Sequence, residues 1–288
     1  MSLEVVRPGP LALVEDTGRP GFAAVGVSPS GAFDRAALAR GRALVGNRAD
    51  HAAIEVTLGG LVLRALDAHT IALTGAICPA SVDGHPVGWD APFVLERGHV
   101  LALGVPTWGL RSYLSVAGGI DVPTVLGSRS ADLLSGLGPA ALRAGDVLPV
   151  GPIRLVELVE TAASTVSAGS SSAALDLRPG PRTDWLADPS ALARAWTVSP
   201  DSNRVGVRLN GPPLARTPSR EGDELPSEPL VRGAVQLPPS GQPVIFGPDH
   251  PTTGGYPVVA VLTEESSDRL AQCRPGLPVE LRWAESWT

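Results

Sequence analysis

Arg97-Gly98-His99-Val100-Leu101 is a turn followed at once by an apolar run, and the phrase returns as Ala144-Gly145-Asp146-Val147-Leu148 and Pro275-Gly276-Leu277-Pro278-Val279. Glycine accepts the backbone of a tight turn, and the aliphatic residues after it suit a pleated strand. The intervals between the three phrases are unequal, which excludes a solenoid and points to repeated use of one barrel-closing hairpin. Outward from these phrases, 33 Gly and 29 Pro break the 288-residue chain into short apolar pieces. Long helices have little room, so the fold is expected to be mainly β with a few short helices. Strands are expected at 11–14, 54–57, 60–66, 70–73, 100–103, 112–116, 153–159, 205–209, 244–246, 258–262 and 278–283.

Three helices are expected. Asp34 can cap the first, which carries Ala37, Leu38, Gly41, Leu44 and Val45 on one face and stops at Gly46-Asn47. Asp188-Pro189 opens a second through Leu192 and Trp196, with proline at the first helical position. Ser267 starts a third that ends near Cys273, before Pro275. Residues 161–173 hold no charge and no large apolar residue except Val166. They are expected to be a flexible linker or exposed loop between an N-terminal β-rich lobe, 1–160, and a C-terminal β-barrel lobe, 174–288.

A chain of this length needs no disulfides to hold its core. Cys78 and Cys273 have no CxxC spacing and are read as reduced core thiols. No basic-then-apolar leader opens the sequence and no apolar run nears the roughly 18 residues of a membrane span, so a soluble cytoplasmic protein is expected. A formal charge of −6 argues against a nucleic-acid or anionic-membrane partner. All 23 basic residues are arginine. Without lysine the chain has no Schiff-base chemistry, no P-loop and no site for attached biotin, so bound anions must meet arginine forks, helix N-termini or backbone N–H groups.

Polar groups cluster at four places. Ser30, Asp34 and Arg35 surround a helix entry, where orphan N–H groups favour a carboxylate, carbamoyl or phosphate group; the same residues could instead shape a loop that docks a partner. Glu55 stands in an apolar strand and needs a cation, for which Arg19 and Arg35 are the candidates; a structural ion pair and a part in acid–base chemistry both remain open. Asn203 and Arg204 precede a strand carrying Arg208, and a pleat period of two would set both arginines on one face, as an anion clamp or as a salt-bridged exterior. Asp249 and His250 precede Thr252, Thr253 and Tyr256, an arrangement from which a general base with an orienting carboxylate can be built. No Gly-x-Ser-x-Gly elbow accompanies them. His51, His69, His85 and His99 show no HxH or HExxH spacing, so no metal site is expected.

The order and spacing of Pro29-Ser30-Gly31-Ala32-Phe33-Asp34-Arg35, Glu55-Val56-Thr57-Leu58-Gly59-Gly60, Val116-Ala117-Gly118-Gly119-Ile120-Asp121, Leu126-Gly127-Ser128-Arg129-Ser130, the 202–209 string, the run 233–243 and His250-Pro251-Thr252-Thr253-Gly254-Gly255-Tyr256-Pro257 resemble one family. It is the C subunit of bacterial ATP-dependent 5-oxoprolinase, also described as allophanate hydrolase subunit 2 or a biotin-dependent carboxyltransferase domain. The resemblance covers about Pro8 to Arg282. It implies cyclophilin-like β-barrel architecture and adds Glu228 and Gln236, which lie near family strings, as pocket polar groups. Phe246-Gly247-Pro248-Asp249-His250 departs from the Ala-Asp-Arg-Gln type of string in relatives, which leaves open which side chain there faces a ligand.

The resemblance further implies a subunit, inactive without partners, of an amide hydrolase that opens 5-oxoproline to glutamate with ATP, and magnesium, bound in the assembled complex. A B-type and an A-type subunit would be its partners. Similar chains also serve in carboxyl transfer to urea-derived amides, with biotin arriving on another polypeptide, or as non-enzymatic modules that antagonise a kinase inhibitor. The first reading is preferred because the chain is not fused to biotin carboxylase and carrier domains.

Overall fold

The computed structural model describes residues 1–153, 172–220 and 222–284. Two compact units divide them: 1–19, 30–132 and 136–153 form the first, and 20–29, 133–135 and 172 onward form the second. The expected linker lies outside the described residues except for 172 and 173, as does all of the expected strand 153–159 but its first residue.

The first unit holds β1 (Ser2–Arg7), β2 (Leu11–Glu15), β3 (Ala53–Thr57), β4 (Val62–Ala65), β5 (His69–Gly75), β6 (Ala80–Val82), β7 (His85–Pro86), β8 (Pro92–Leu95), β9 (Val100–Leu103), β10 (Arg111–Val116) and β11 (Val147–Pro149). Six of them form a sheet ordered β11-β1-β4-β9-β6-β7, and five form a second, β2-β3-β10-β5-β8. Alternation sends Leu3 and Val5 of β1, Leu63 of β4 and Leu101 of β9 into one apolar cluster with Val14, Ile54, Leu73 and Leu114. Every residue of β10 is buried. One reason is α1 (Arg35–Leu44), whose buried face carries Ala37, Leu38 and Gly41, and whose Ala37 carbonyl accepts from the Thr74 hydroxyl of β5 at 2.8 Å. Asp34 caps α1 as expected, its carboxylate accepting from the Ala37 N–H at 2.8 Å.

The second unit is built on β12 (Ala173–Pro179), β13 (Ala195–Val198), β14 (Gly206–Asn210), β15 (Glu228–Pro229), β16 (Ala234–Gln236), β17 (Val244–Phe246), β18 (Thr253–Gly254), β19 (Val258–Leu262) and β20 (Pro278–Trp283). Seven close into a barrel in the order β12-β19-β16-β17-β14-β13-β20, while β15 and β18 pair as a separate ribbon. Leu175, Leu177, Trp196, Leu209, Val235, Ile245, Val259 and Leu281 are fully or almost fully buried. A mainly β fold with a closed barrel is thus what the turn-and-strand phrases foretold. Gly98, Gly145 and Gly276 all have positive φ, and each is followed two residues later by β9, β11 or β20.

Two helices differ from expectation. Asp188-Pro189 opens only a 3-10 turn, Pro189–Ala191, and Trp196 lies in β13. The last helix, α2 (Glu264–Leu270), starts earlier than Ser267 because Thr263 is its cap, accepting from the Ser266 N–H at 3.2 Å. Among the described residues no helix is long and apolar enough to cross a membrane.

Candidate functional site

In the first unit, Glu55 organises the entry to α1. The antiparallel register of β3 and β10 sets Tyr113 directly opposite it. Its Oε2 accepts from the Tyr113 hydroxyl at 2.6 Å and from the Phe33 N–H at 2.9 Å. The same hydroxyl accepts from the Asp34 N–H at 2.7 Å. Beside Oε1, at 3.4 Å, lies Nε of Arg111, which stacks over the Phe33 ring at 4.3 Å. A cation next to Glu55 is thus Arg111, which sequence proximity did not suggest, because strand pairing helps decide which side chains meet. Burial first, and then the Glu55 and Asp34 carboxylates, push the Tyr113 phenol well above its ordinary pKa.

Arg19 and Ser30 serve the same unit differently. The Arg19 guanidinium donates to the Ser130 and Val125 carbonyls, and the Ser30 hydroxyl donates to the Ala131 carbonyl at 2.9 Å. Both tie the turn before α1 to the 125–131 loop. Arg35, the first residue of α1, is half-buried.

In the second unit, Arg204 and Asp249 make a two-pronged ion pair, Nε to Oδ2 at 2.9 Å and Nη2 to Oδ1 at 3.0 Å, at 2 % and 0 % exposure. Asp249 Oδ2 also accepts from the Leu133 N–H at 3.2 Å. The neighbouring His250 is buried, with Nδ1 2.8 Å from the Pro251 carbonyl; a carbonyl only accepts, so Nδ1 carries the proton and a neutral ring keeps its lone pair on Nε2. Arg208 is exposed on β14 and donates to the Asp201 carbonyl at 2.7 Å. The two arginines do not form a clamp on one exposed face: Arg204 precedes β14 and turns into the unit. Asn203 caps the start of that strand, its side-chain oxygen accepting from the N–H groups of Val205 at 2.9 Å and Gly206 at 3.2 Å.

The Thr252–Tyr256 turn borders a cavity of about 910 Å³ in the second unit. Tyr256 and Gly255 form one wall, and Arg216, Leu214, Leu225 and Pro239 form others. Behind the wall, buried Gln236 donates to the Tyr256 carbonyl at 3.0 Å. Thr253 is exposed on β18, and the Thr252 carbonyl accepts from the Leu230 N–H at 2.9 Å. Glu228 pairs with Arg182, whose hydrogen bond lowers the carboxyl pKa. Arg216 donates to the Leu237 and Asp223 carbonyls at 3.2 and 3.4 Å and has Trp185 5.5 Å away. Sequence reasoning did not find Arg216, which sits in a proline-flanked loop without periodicity, nor Arg111, Tyr113 and Arg182, which strand pairing and long-range contacts bring in. Among the described residues no group of three or more His, Cys, Asp or Glu could hold a metal ion.

The family model for the carboxyltransferase domain, subdomain A and B, matches residues 25–283. The chain is 40 % identical to the C subunit of Escherichia coli 5-oxoprolinase over 285 residues, covering 96 % of this chain and 89 % of that protein. It is 32 % identical to the urea amidolyase of Lachancea kluyveri, covering 96 % of this chain but 16 % of that enzyme. The crystal structure of the Kluyveromyces lactis urea amidolyase superposes with a TM-score of 0.91 at 29 % identity, over 99 % of this chain and 19 % of that one. This chain belongs to the carboxyltransferase domain family, subdomain A and B. Its bacterial relatives are named as subunits of a hydrolase, and its fungal ones are much longer enzymes.

Proposed function

We propose that this chain is the C subunit of a heteromeric ATP-dependent 5-oxoprolinase. The observation that carries the reading is the 40 % identity to the C subunit of the E. coli 5-oxoprolinase across 89 % of that protein. The chemistry needs coupling because lactam resonance resists attack by water. Transfer of the γ-phosphoryl group of ATP to the lactam oxygen makes the ring carbon electrophilic. Water adds there, the ring nitrogen leaves with a proton, and the resulting acyl phosphate is hydrolysed by a second water to glutamate and phosphate. Magnesium and ATP belong to the assembled complex, since the chain carries no P-loop. Its partners are a B-type and an A-type subunit, and the cytoplasm is its compartment.

Within that assembly we assign His250 to proton transfer through Nε2, its Nδ1 being held by the Pro251 carbonyl. Glu55 and Asp249, each engaged by an arginine, act as positioning groups. Arg208, Arg216, Thr253 and Tyr256, on the surface or at the cavity wall, are the groups offered to anionic substrate oxygens. A second reading, carboxyl transfer to a urea-derived amide, is favoured by the superposition on urea amidolyase. Biotin would then arrive on another polypeptide.

The deciding experiment measures ATP-dependent glutamate release from 5-oxoproline by the chain alone and by the chain co-purified with B-type and A-type subunits. Release only from the full mixture, falling about a hundredfold with His250→Gln, is the expected result. A stable complex that releases no glutamate but consumes carboxybiotin would overturn the reading in favour of carboxyl transfer.

A further inference from the structure

Two motifs that the reaction above leaves unused, Val116-Ala117-Gly118-Gly119-Ile120-Asp121 and Leu126-Gly127-Ser128-Arg129-Ser130, meet in the first unit around a cavity of about 290 Å³. Arg48, Asp50, His51, Asp121 and Arg129 supply its polar walls, and Gly118 and Gly151 its floor.

The floor is backbone packed on backbone. A Cβ at Gly118 would sit 2.1 Å from the Gly151 oxygen, and one at Gly119, with φ at +71°, would sit 2.8 Å from Cβ of His51. Asn47 fixes the Gly118 end, accepting from its N–H at 2.8 Å while donating to the Val116 carbonyl at 2.7 Å. The Arg129 wall is anchored by buried Asp16, whose carboxylate accepts from the Arg129 N–H and the Ser128 hydroxyl, both at 2.6 Å, and from the Ser130 hydroxyl at 2.7 Å. The His51 wall is held by Arg42, which donates to the His51 carbonyl at 2.6 Å. Burial, outweighing Asp50, lowers the pKa of the His51 ring.

With His51 neutral, two cations and two anions line the cavity, paired as Arg48 with Asp50 at 3.2 Å and Arg129 with Asp121 at 2.6 Å. An anion alone would face two carboxylates, and a cation alone two guanidinium groups. A ligand carrying both charges meets each with its opposite. The volume lies just below the usual range of ligand pockets, about 300–1,000 Å³, which suits a small ligand.

We infer that this cavity is a binding site for a small zwitterion, a free α-amino acid whose carboxylate meets Arg48 and Arg129 and whose ammonium meets Asp50 and Asp121. The site stands apart from the proposed lactam chemistry and is tested without ATP or partner subunits. Calorimetric titration of the purified chain uses L-glutamate, and glutarate as the matched dicarboxylate that lacks the ammonium. Saturable binding of glutamate with glutarate at least about tenfold weaker is expected, as is a loss of about tenfold or more in Arg129→Gln and in Asp121→Asn. Arg129→Gln leaves the backbone bond to Asp16 in place, and circular dichroism checks that both variants fold. Arg64→Gln, which alters an exposed pair with Glu4 elsewhere in the unit, should bind like the parent. Equal binding of glutarate, binding unchanged in the two variants, or no heat from glutamate would each overturn the inference.

Discussion

Glu55 and Asp249 are both buried carboxylates, one in each compact unit, and they are satisfied in different ways. Asp249 meets the fork of Arg204 with both oxygens. Glu55 shares its neighbours between a phenol, a backbone N–H and a guanidinium 3.4 Å away. The first arrangement centres on one side chain against another, beside the Leu133 N–H, and its energetics depend chiefly on two charges being removed from water together. The second holds a stretch of main chain, because the Phe33 and Asp34 N–H groups both end in the Tyr113–Glu55 pair. Burial alone therefore does not say what a carboxylate is for; the nature of its donors does.

The sharpest way to break this contrast is to remove one partner of each pair. Asp249→Ala leaves the Arg204 charge buried without its carboxylate, and the expected cost is about 3–5 kcal/mol, read from the midpoint of urea unfolding. Replacing both residues with apolar ones should restore much of that loss. If Asp249→Ala cost less than Tyr113→Phe, the ranking of the two arrangements would be reversed.

Tyr113→Phe is expected to cost about 1–3 kcal/mol by leaving the Asp34 N–H and one side of Glu55 without the hydroxyl. It also carries a pH signature. The folded-state pKa of Tyr113 is raised above the ordinary value of 10.0, so the unfolded chain loses this proton first. The stability it contributes is fully present below about pH 10 and is lost as pH rises beyond that. The difference in stability between the parent and Tyr113→Phe should shrink as pH climbs above 10, and a difference that stayed constant would show that the phenol is not the group responsible.

The smallest effect concerns a neutral group in the same unit. Burial pushes the Cys78 thiol up to about 11, so thiolate is scarce at pH 8. In a Cys273→Ser background, labelling of Cys78 by a thiol reagent should be slow in the folded protein and fast after unfolding. Rapid labelling of the folded form would contradict both its burial and its raised pKa.

Much of this architecture could be read before any coordinates. Glycine turns before aliphatic runs marked β9, β11 and β20, and Asp34 before a helical apolar stripe marked α1. The failure at Trp196 has a physical cause: Leu192 and Trp196 are four apart, a spacing that suits one face of a helix and one face of a strand equally. Proline after Asp188 then favoured the wrong choice. At the candidate site, residue types were legible but partners were not. Glu55 signalled that it needed a cation, yet Arg111 and Tyr113 lie more than fifty residues away and are delivered by the β3–β10 register. Asn203 was legible as a polar turn residue before a strand, but the capping of β14 by its oxygen was not.

The barrel of the second unit is closed by a parallel pair, with Ala173 of β12 opposite Val279 of β20 and Leu177 opposite Trp283. During synthesis β12 must therefore wait for more than a hundred residues to follow it before its second edge is covered. Until then it presents an unpaired strand edge to the cell, the kind of surface that recruits chaperones or neighbouring nascent chains. For this protein the hazardous period runs from the emergence of β12 until β19 and then β20 have followed it from the ribosome.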